Sequence, residues 1–236
     1  MTQFVEAFSW LMDPVNWSGS RGIPTRVLEH LWYCVLAIAL AALVAVPAGL
    51  FIGHTGRGRG LAIGVTGALR ALPSLGLLTL LAVTMSLGLS LSIVPSTIVL
   101  AILAIPPLLA ASYSGVEAVD SDVVDGARAT GLSEWQIVQR VEVPLAGPLL
   151  VGGLRSAMLQ VIATATLSAY LGLGGLGRYI LDGQAVADYP KMLAGAILVI
   201  ALALVMDVLI LLAQRLAVPS GVGIALGTAV VDGQHS

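Results

Sequence analysis

The chain has 236 residues, of which 58% are hydrophobic and only 10% are charged, and its formal net charge is −2. Soluble domains carry about 25% charged residues, so a chain this poor in charge cannot cover its surface in water, and a soluble globular protein is excluded. The small net charge gives no indication of a nucleic-acid partner, and the single cysteine, Cys34, excludes an intramolecular disulfide. Lipid must cover the surface instead.

The first segment, residues 1–29, is predicted to lie outside the cytoplasm. Its apolar stretch 4–12 is shorter than the roughly 20 residues that span a bilayer, so we expect an interfacial helix along the outer membrane surface. Trp10, Trp17 and Trp32 cluster before and at the start of the next segment. Indole rings at such positions typically anchor a protein at the lipid–water interface.

The transmembrane region is predicted to occupy residues 30–213 and a cytoplasmic tail residues 214–236. Residues 71–116 carry no charge and are too long for one span, and the run GLSLS at 88–92 predicts a turn within them. Apolar runs of this length cross a bilayer as helices, because a helix pairs its own backbone groups. The five predicted spans are 31–52, 61–87, 93–113, 145–169 and 192–213.

Basic residues in the loops indicate the orientation, because cytoplasmic loops are enriched in lysine and arginine. We therefore place residues 54–60, 117–144 and the tail in the cytoplasm, and the N-terminus outside. The basic residues outside the spans are Arg57, Arg59, Arg128, Arg140 and Arg215 on the cytoplasmic side, and Arg21, Arg26, Arg178 and Lys191 on the opposite side.

The most charged segment, residues 117–144, lies between the third and fourth predicted spans. Asp120, Ser121 and Asp122 are candidates for the N-cap of a short helix. Gly131 provides the left-handed residue that commonly ends a helix.

A second short helix is predicted directly after that glycine. Ser133 and Gln136 have the spacing of a capping box. Pro144 is expected to end this helix, because the residue before a proline avoids helical geometry. The segment is thus predicted to form two short helices at the cytoplasmic surface, and an ordinary amphipathic loop resting on the membrane is the alternative.

The spacing within this segment resembles the EAA loop of type I ABC-transporter permeases, in which Glu-Ala-Ala is followed after three residues by Gly and after nine more by Ile-x-Leu-Pro. This chain keeps the spacing but has Asp and Gly at the first two positions, and Val in place of both Ile and Leu. The first two departures soften the match at its head. The residues that the resemblance implies for coupling to an ATPase are Asp125, Gly126, Ala127, Gly131, Val141 and Pro144.

The resemblance extends over essentially all of the predicted spans and implies an all-α integral membrane protein, with about five transmembrane helices and a cytoplasmic two-helix coupling loop. It implies a permease of the bacterial inner membrane that works in an ATP-driven importer. The implied partners are cytoplasmic ABC ATPase subunits that bind the ATP, a second permease copy that is identical or paralogous, and an extracytoplasmic substrate-binding protein.

Three further stretches bear on the substrate. The runs RALPS at 70–74 and ATATL at 163–167 resemble permeases for osmoprotectants, which implies import of glycine betaine, choline, carnitine or proline. The run GLGGLG at 172–177 is shared with permeases for methionine and other amino acids, so a permease for methionine or another small polar solute is the alternative. This glycine-rich run is also predicted to begin a flexible outer loop.

No catalytic, cofactor or metal site is predicted in the chain. A P-loop needs a lysine after glycine, but the only lysine, Lys191, follows Pro190, and there is neither an HExxH motif nor a paired-cysteine site. A membrane-bound enzyme would need a nucleophile with its base or paired intramembrane carboxylates, and Asp207 is the one clear candidate. An ion-driven secondary transporter, the other alternative, typically shows inverted repeats, which are not evident here.

Charged and polar residues within the spans form a second group of candidates. Charges inside a bilayer are costly and usually pair, so Arg155 and Asp207 are predicted to form an ion pair, with Arg70 nearby. The pair is interpreted either as a gate or, preferably, as a structural contact, with arginines that snorkel to the interface as a further alternative. The residues interpreted as a possible pathway or gate are Arg70, Pro73, Thr164 and Thr166, with a simple kink at Pro73 and backbone hydrogen bonds of the threonines as the alternatives.

Overall fold

The computed structural model describes residues 2–85, 88 and 91–217, and this part of the chain contains no β-strand. The predicted turn at 88–92 and the predicted tail at 214–236 therefore lie partly outside the described residues. The helices in chain order are α1 (Thr2–Met12), α2 (Ile23–Thr55), α3 (Arg59–Ala71), α4 (Ser74–Met85), α5 (Ile93–Glu117), α6 (Ser121–Ala129), α7 (Glu134–Ile137), α8 (Val143–Thr164), α9 (Gly177–Ala185) and α10 (Tyr189–Ala217).

Four helical segments of the described chain are long and apolar enough to cross a membrane: α2, α5, the run Glu134–Leu171 that contains α8, and Tyr189–Arg215 of α10. A fifth crossing is formed if α3 and α4 count together as one span. The prediction of an all-α membrane protein with about five transmembrane helices is thereby confirmed. The helices extend beyond the predicted spans, as in α2 with its 33 residues, because helical hydrogen bonding continues past the apolar run.

The second predicted span, 61–87, differs from the expected single helix. It is divided into α3 and α4, which are bent by 86° relative to each other. Leu72 at the break has extended backbone angles (φ −68°, ψ 129°), as favoured before a proline. Pro73 itself lacks the amide hydrogen that would continue the helix. The expected kink at Pro73 is therefore a complete break.

Helix α5 is central and packs against α2, α3, α4 and α8. Its contact with α8 depends on a small residue, since a Cβ at Gly153 would overlap the Cβ of Ala111 and come within 3.1 Å of the Pro107 carbonyl oxygen. A Cβ at Gly49 of α2 would likewise overlap the Ser112 side chain of α5. Small residues let transmembrane helices approach closely and gain van der Waals contacts, which hold helices together in lipid.

The substitution Gly153→Ala is expected to lower the free energy of unfolding by about 1–3 kcal/mol, because it overpacks the contact between α5 and α8. The neighbouring Gly152→Ala is the matched control, since its Cβ would meet nothing within 4 Å and alanine favours a helix. Thermal unfolding of both variants in detergent checks this. Equal melting temperatures would contradict the close packing.

The N-terminal helix α1 packs against α10, with Ala7 and Leu11 buried. Trp10 stands edge-on to Tyr179 of α9, with ring centroids 5.1 Å apart. Trp17 follows α1 in a short 3₁₀ turn and donates from Nε1 to the Leu11 carbonyl oxygen at 2.7 Å. The helix predicted over 4–12 thus exists, and its position relative to the membrane surface stays a prediction.

The glycine-rich run 172–177 is held against the start of α2, contrary to the flexible loop expected there. Glu29 Oε2 accepts from the Gly175 amide at 2.8 Å, and His30 Nδ1 accepts from the Leu176 amide at 3.3 Å. A Cβ at Gly174 would overlap the Glu29 carboxylate. The glycines therefore serve a close approach of two segments far apart in sequence.

Candidate coupling site

Helix α6 is capped at both ends by residues of its own segment. The Asp120 carboxylate accepts from the Asp122 amide at 2.9 Å, which identifies Asp120 as the N-cap among the three candidates. At the other end Gly131 has a left-handed φ of 89°. The amides of Gly131 and Leu132 donate to carbonyl oxygens of the last turn, which is the hydrogen-bond pattern of a Schellman motif.

The second short helix begins as the capping box predicts. The Ser133 amide donates to Gln136 Oε1 at 2.9 Å, and the Gln136 amide donates to Ser133 Oγ at 3.4 Å. Together with the glycine turn, these contacts set the direction in which α7 leaves α6.

The predicted end of this helix at Pro144 is wrong. Helix α7 continues through a five-residue π turn, Val138–Glu142, into α8. Val143 keeps helical angles (φ −61°, ψ −45°) and donates its amide to the Val138 carbonyl oxygen, five residues back. A proline near the start of a regular helix lacks only an amide that would be unpaired there. The π turn supplies such a start, so Pro144 is tolerated within a continuous helical run.

The six predicted coupling residues fall into two groups. Asp125, Gly126 and Ala127 lie on α6, a helix with no buried residue, and the Asp125 side chain is 71% exposed. Gly131 ends that helix. The remaining two, half-buried Val141 in the π turn and exposed Pro144 at the start of α8, lie in the root of the following span rather than on α6.

A chain of polar contacts links α6 to the transmembrane helices. Arg128 donates to both Glu134 carboxylate oxygens, at 2.8 and 2.9 Å, and to Asp125 Oδ1 at 2.6 Å. His54, in the last turn of α2, lies with Nε2 3.1 Å from Glu134 Oε2 and with Nδ1 2.9 Å from the Glu142 carboxylate. The hydrogen bonds that Arg128 donates to Glu134, with the nearby carboxylate charges, raise the pKa of Arg128 above its ordinary value.

His54 and Glu142 were not among the sequence candidates. His54 precedes a glycine and arginine turn, and Glu142 precedes Pro144 by two residues. An acidic residue at the root of a predicted span is the one signal that sequence offers, and its partner is 88 residues away.

The charged residues predicted within the spans are partly brought together. Arg155 of α8 donates from Nη2 to Asp207 Oδ2 at 2.6 Å and from Nε to Asp207 Oδ1, which is a bidentate contact between α8 and α10. Arg70 is exposed and forms no ion pair with a described residue. The expected grouping of Arg70 with the pair therefore has no contact to support it.

The two threonines predicted for a pathway bond to their own helix. Thr164 Oγ1 donates to the Gln160 carbonyl oxygen at 2.7 Å, and Thr166 Oγ1 donates to the Ala163 carbonyl oxygen at 2.8 Å. Thr164 also borders a small cavity between α4, α5 and the 3₁₀ end of the α8 run. The other hydroxyl groups on that cavity belong to Ser74, Ser96 and Ser168.

Residues 45–218 match the family described as "binding-protein-dependent transport system inner membrane component". Among curated relatives, the glycine betaine/carnitine/choline transport system permease protein OpuCB of Bacillus subtilis is 31% identical over 193 residues, which are 82% of this chain and 87% of that protein. The osmoprotectant import permease protein OsmW of Salmonella typhimurium is 31% identical over 89% of this chain and all of its own length.

Solved structures share the fold. A membrane chain of the inward-facing MetNI methionine ABC transporter superposes with a TM-score of 0.72 at 17% identity, covering 81% of this chain and 94% of its own. A chain of an amino acid ABC transporter crystallised with histidines has a TM-score of 0.64 at 19% identity, covering 90% of this chain and 97% of its own. At these identities the likeness concerns the fold alone.

Proposed function

The chain belongs to the family of inner membrane components of binding-protein-dependent transport systems, and on this premise we propose that it is the permease subunit of an ATP-driven osmoprotectant importer. This is a transport family rather than an enzyme family. The proposed substrates are glycine betaine, choline, carnitine and proline. A separate ATPase binds the ATP and is coupled to the permease through the loop 117–144.

The observation that carries the coupling role is the form of α6. This helix is capped at both ends and has no buried residue, and its main packing contacts are with its neighbours α7 and the π turn. A short helix held in place by its caps, with its faces unpaired, is suited to enter a cleft on another protein. Asp125, Gly126 and Ala127 are the proposed contact residues. Gly131 ends the helix after them and thereby fixes their orientation.

The proposed partners follow from the family. One loop offers one α6, so a dimeric ATPase with two clefts requires a second permease copy, either identical or paralogous. An extracytoplasmic binding protein is proposed to deliver the solute, and the description of the family as binding-protein-dependent supports this. The Arg155–Asp207 contact is proposed to hold α8 against α10 within the membrane.

The substrate class rests on the named relatives. The curated relatives carry names of glycine betaine, carnitine, choline and osmoprotectant permeases. The hydroxyl-bordered cavity near Thr164 and Ser74 is the part of the chain that we propose lines the solute path, with the break at Pro73 letting α4 move beside it. A permease for methionine is the second candidate, favoured only by the GLGGLG run.

The test is uptake in proteoliposomes that contain this chain, its candidate ATPase and its binding protein. Labelled glycine betaine, choline, proline and methionine are offered in turn, with and without ATP on the ATPase side. ATP-dependent uptake of quaternary amines or proline is expected, and uptake of methionine alone would replace the substrate class while keeping the permease.

A further inference from the structure

One histidine joins three separate parts of the chain. His54 ends α2, Glu134 begins α7 after the α6 turn, and Glu142 lies in the π turn before α8. In the described residues, the side-chain hydrogen bonds and ion pairs between α2 and residues 118–142 are those of His54 alone. Among the described residues, the polar linkage of α2 to the loop therefore passes through this side chain.

The apolar contact beside His54 is open rather than packed. A cleft separates α2 from the start of the α8 run, and Trp135 on its rim is 68% exposed. Pro47, Leu50 and Phe51 line one wall, and Trp135, Val138 and Val143 line the other. Both α2 and α8 pack against α5, and along this cleft the polar contacts of His54 bridge the two walls.

The position of His54 between two carboxylates suits a donor at each ring nitrogen. Nδ1 is hydrogen-bonded to the Glu142 carboxylate at 2.9 Å, Nε2 lies 3.1 Å from Glu134 Oε2, and a carboxylate only accepts. A neutral imidazole has one N–H and can satisfy one of the two, whereas imidazolium donates to both. The contacts then alternate in sign from Asp125 through Arg128, Glu134 and His54 to Glu142.

Glu142 makes this arrangement more than a surface contact. Its side chain is only 5% exposed and its ion-pair partner among the described residues is His54. A carboxylate removed from water is stable as an anion only with such a partner. Glu142 therefore ties the end of α2 to the root of α8, while Glu134 ties the same histidine to α6 through Arg128.

We propose that His54 is a positioning residue for coupling: as a cation it holds α6, the end of α2 and the root of α8 together, so that a displacement of α6 by the ATPase moves both transmembrane helices. This inference rests on the proposed docking of α6. The staple, defined as Asp125, Arg128, Glu134, His54 and Glu142, transmits the motion and binds neither solute nor ATP.

The test compares His54→Gln with His54→Arg in the full complex. Glutamine keeps a donor nitrogen on one side but loses the charge and presents a carbonyl oxygen on the other, whereas arginine keeps the charge and donates in two directions. We expect His54→Gln to assemble with the ATPase and hydrolyse ATP, while solute taken up per ATP falls roughly tenfold, as loss of a hydrogen bond to a charged group allows. His54→Arg is expected to restore most of that ratio.

Two further variants separate the staple from general damage. Arg57→Gln removes a positive charge three residues away that forms no ion pair with a described residue, and it is expected to leave the ratio unchanged. Glu142→Gln is expected to lower the ratio as His54→Gln does, and the double variant is expected to be no worse than either. Non-additivity of this kind identifies one shared contact.

A second measurement, the distance between two spin labels, needs no solute. Val123 on α6 and Leu43 on α2 are exposed and can each carry a nitroxide label on an introduced cysteine. We expect their separation to stay constant on ATP addition in the wild type and in His54→Arg, and to change in His54→Gln. If the label separation and the uptake ratio of His54→Gln both match the wild type, the staple is refuted.

The outcomes also distinguish the proposed transport function from the proposed role of His54. Assembly with the ATPase but no uptake of any offered solute by the wild type would overturn the substrate class, and the label separation would still decide the staple. Failure of the wild-type chain to assemble with the ATPase would overturn the docking of α6 and the staple with it.

Discussion

Replacing Gly131 with valine is expected to reduce binding of the ATPase roughly tenfold or more. Gly131 has a φ of 89°, and a built Cβ would meet nothing within 4 Å, so the whole effect comes from the backbone. A left-handed conformation costs a residue with a Cβ about 1–2 kcal/mol, and β-branched side chains resist it most. The last turn of α6 would unwind, and Asp125 to Ala127 would no longer be held in the orientation proposed to contact the ATPase.

The matched control for this prediction is Gly131→Asn, because asparagine tolerates the left-handed region. It is expected to bind the ATPase nearly as the wild type does. Co-purification of the ATPase with each tagged variant, at equal membrane yield, provides the measurement. Equal recovery with valine, asparagine and glycine at this position would mean that α6 is not the docking element.

Breaking the Arg155–Asp207 pair is expected to have the second large effect. The bidentate contact joins α8 to α10, and both helices are long and apolar enough to span a membrane. Either partner left alone would be an uncompensated charge in a largely apolar setting, which is strongly destabilising. We expect Arg155→Leu and Asp207→Asn each to lower the yield of folded protein and its melting temperature in detergent.

The exchange Arg155→Asp with Asp207→Arg tests whether the pair itself matters. Restoration of opposite charges is expected to recover part of the yield and melting temperature lost by either single variant. Single variants that fold and melt like the wild type but no longer transport would instead favour a gating role, and normal transport with normal stability would exclude both roles.

Much of the architecture follows from the sequence alone, because the physical causes are local. Apolar runs of spanning length predict transmembrane helices, since backbone groups in lipid must be paired within the segment. Asp120, Gly131 and the Ser133–Gln136 box predict both ends of α6 and the start of α7, since caps act within four residues of the positions that they stabilise. The coupling role of this segment is implied by its resemblance to the EAA loop and does not follow from these local rules.

The two prolines show where local rules stop. Pro73 and Pro144 both remove an amide and restrict the preceding residue, yet Pro73 divides a predicted span and Pro144 lies within a continuous helical run. The π turn before Pro144 accounts for the difference. The sequence locates both prolines. The surrounding chain determines whether the missing amide is accommodated by a break between two helices or by a wider π turn.

Most contacts between residues far apart in the sequence were decided only by tertiary structure. His54 meets Glu142 across 88 residues, Glu29 meets Gly175 across 146, and Arg155 meets Asp207 across 52. The last pair was predictable because an unpaired charge within a span is rare and demands a partner. His54 and Glu29 lie at helix ends, where water can satisfy a polar group equally well, so only the packing of the helices selects their partners.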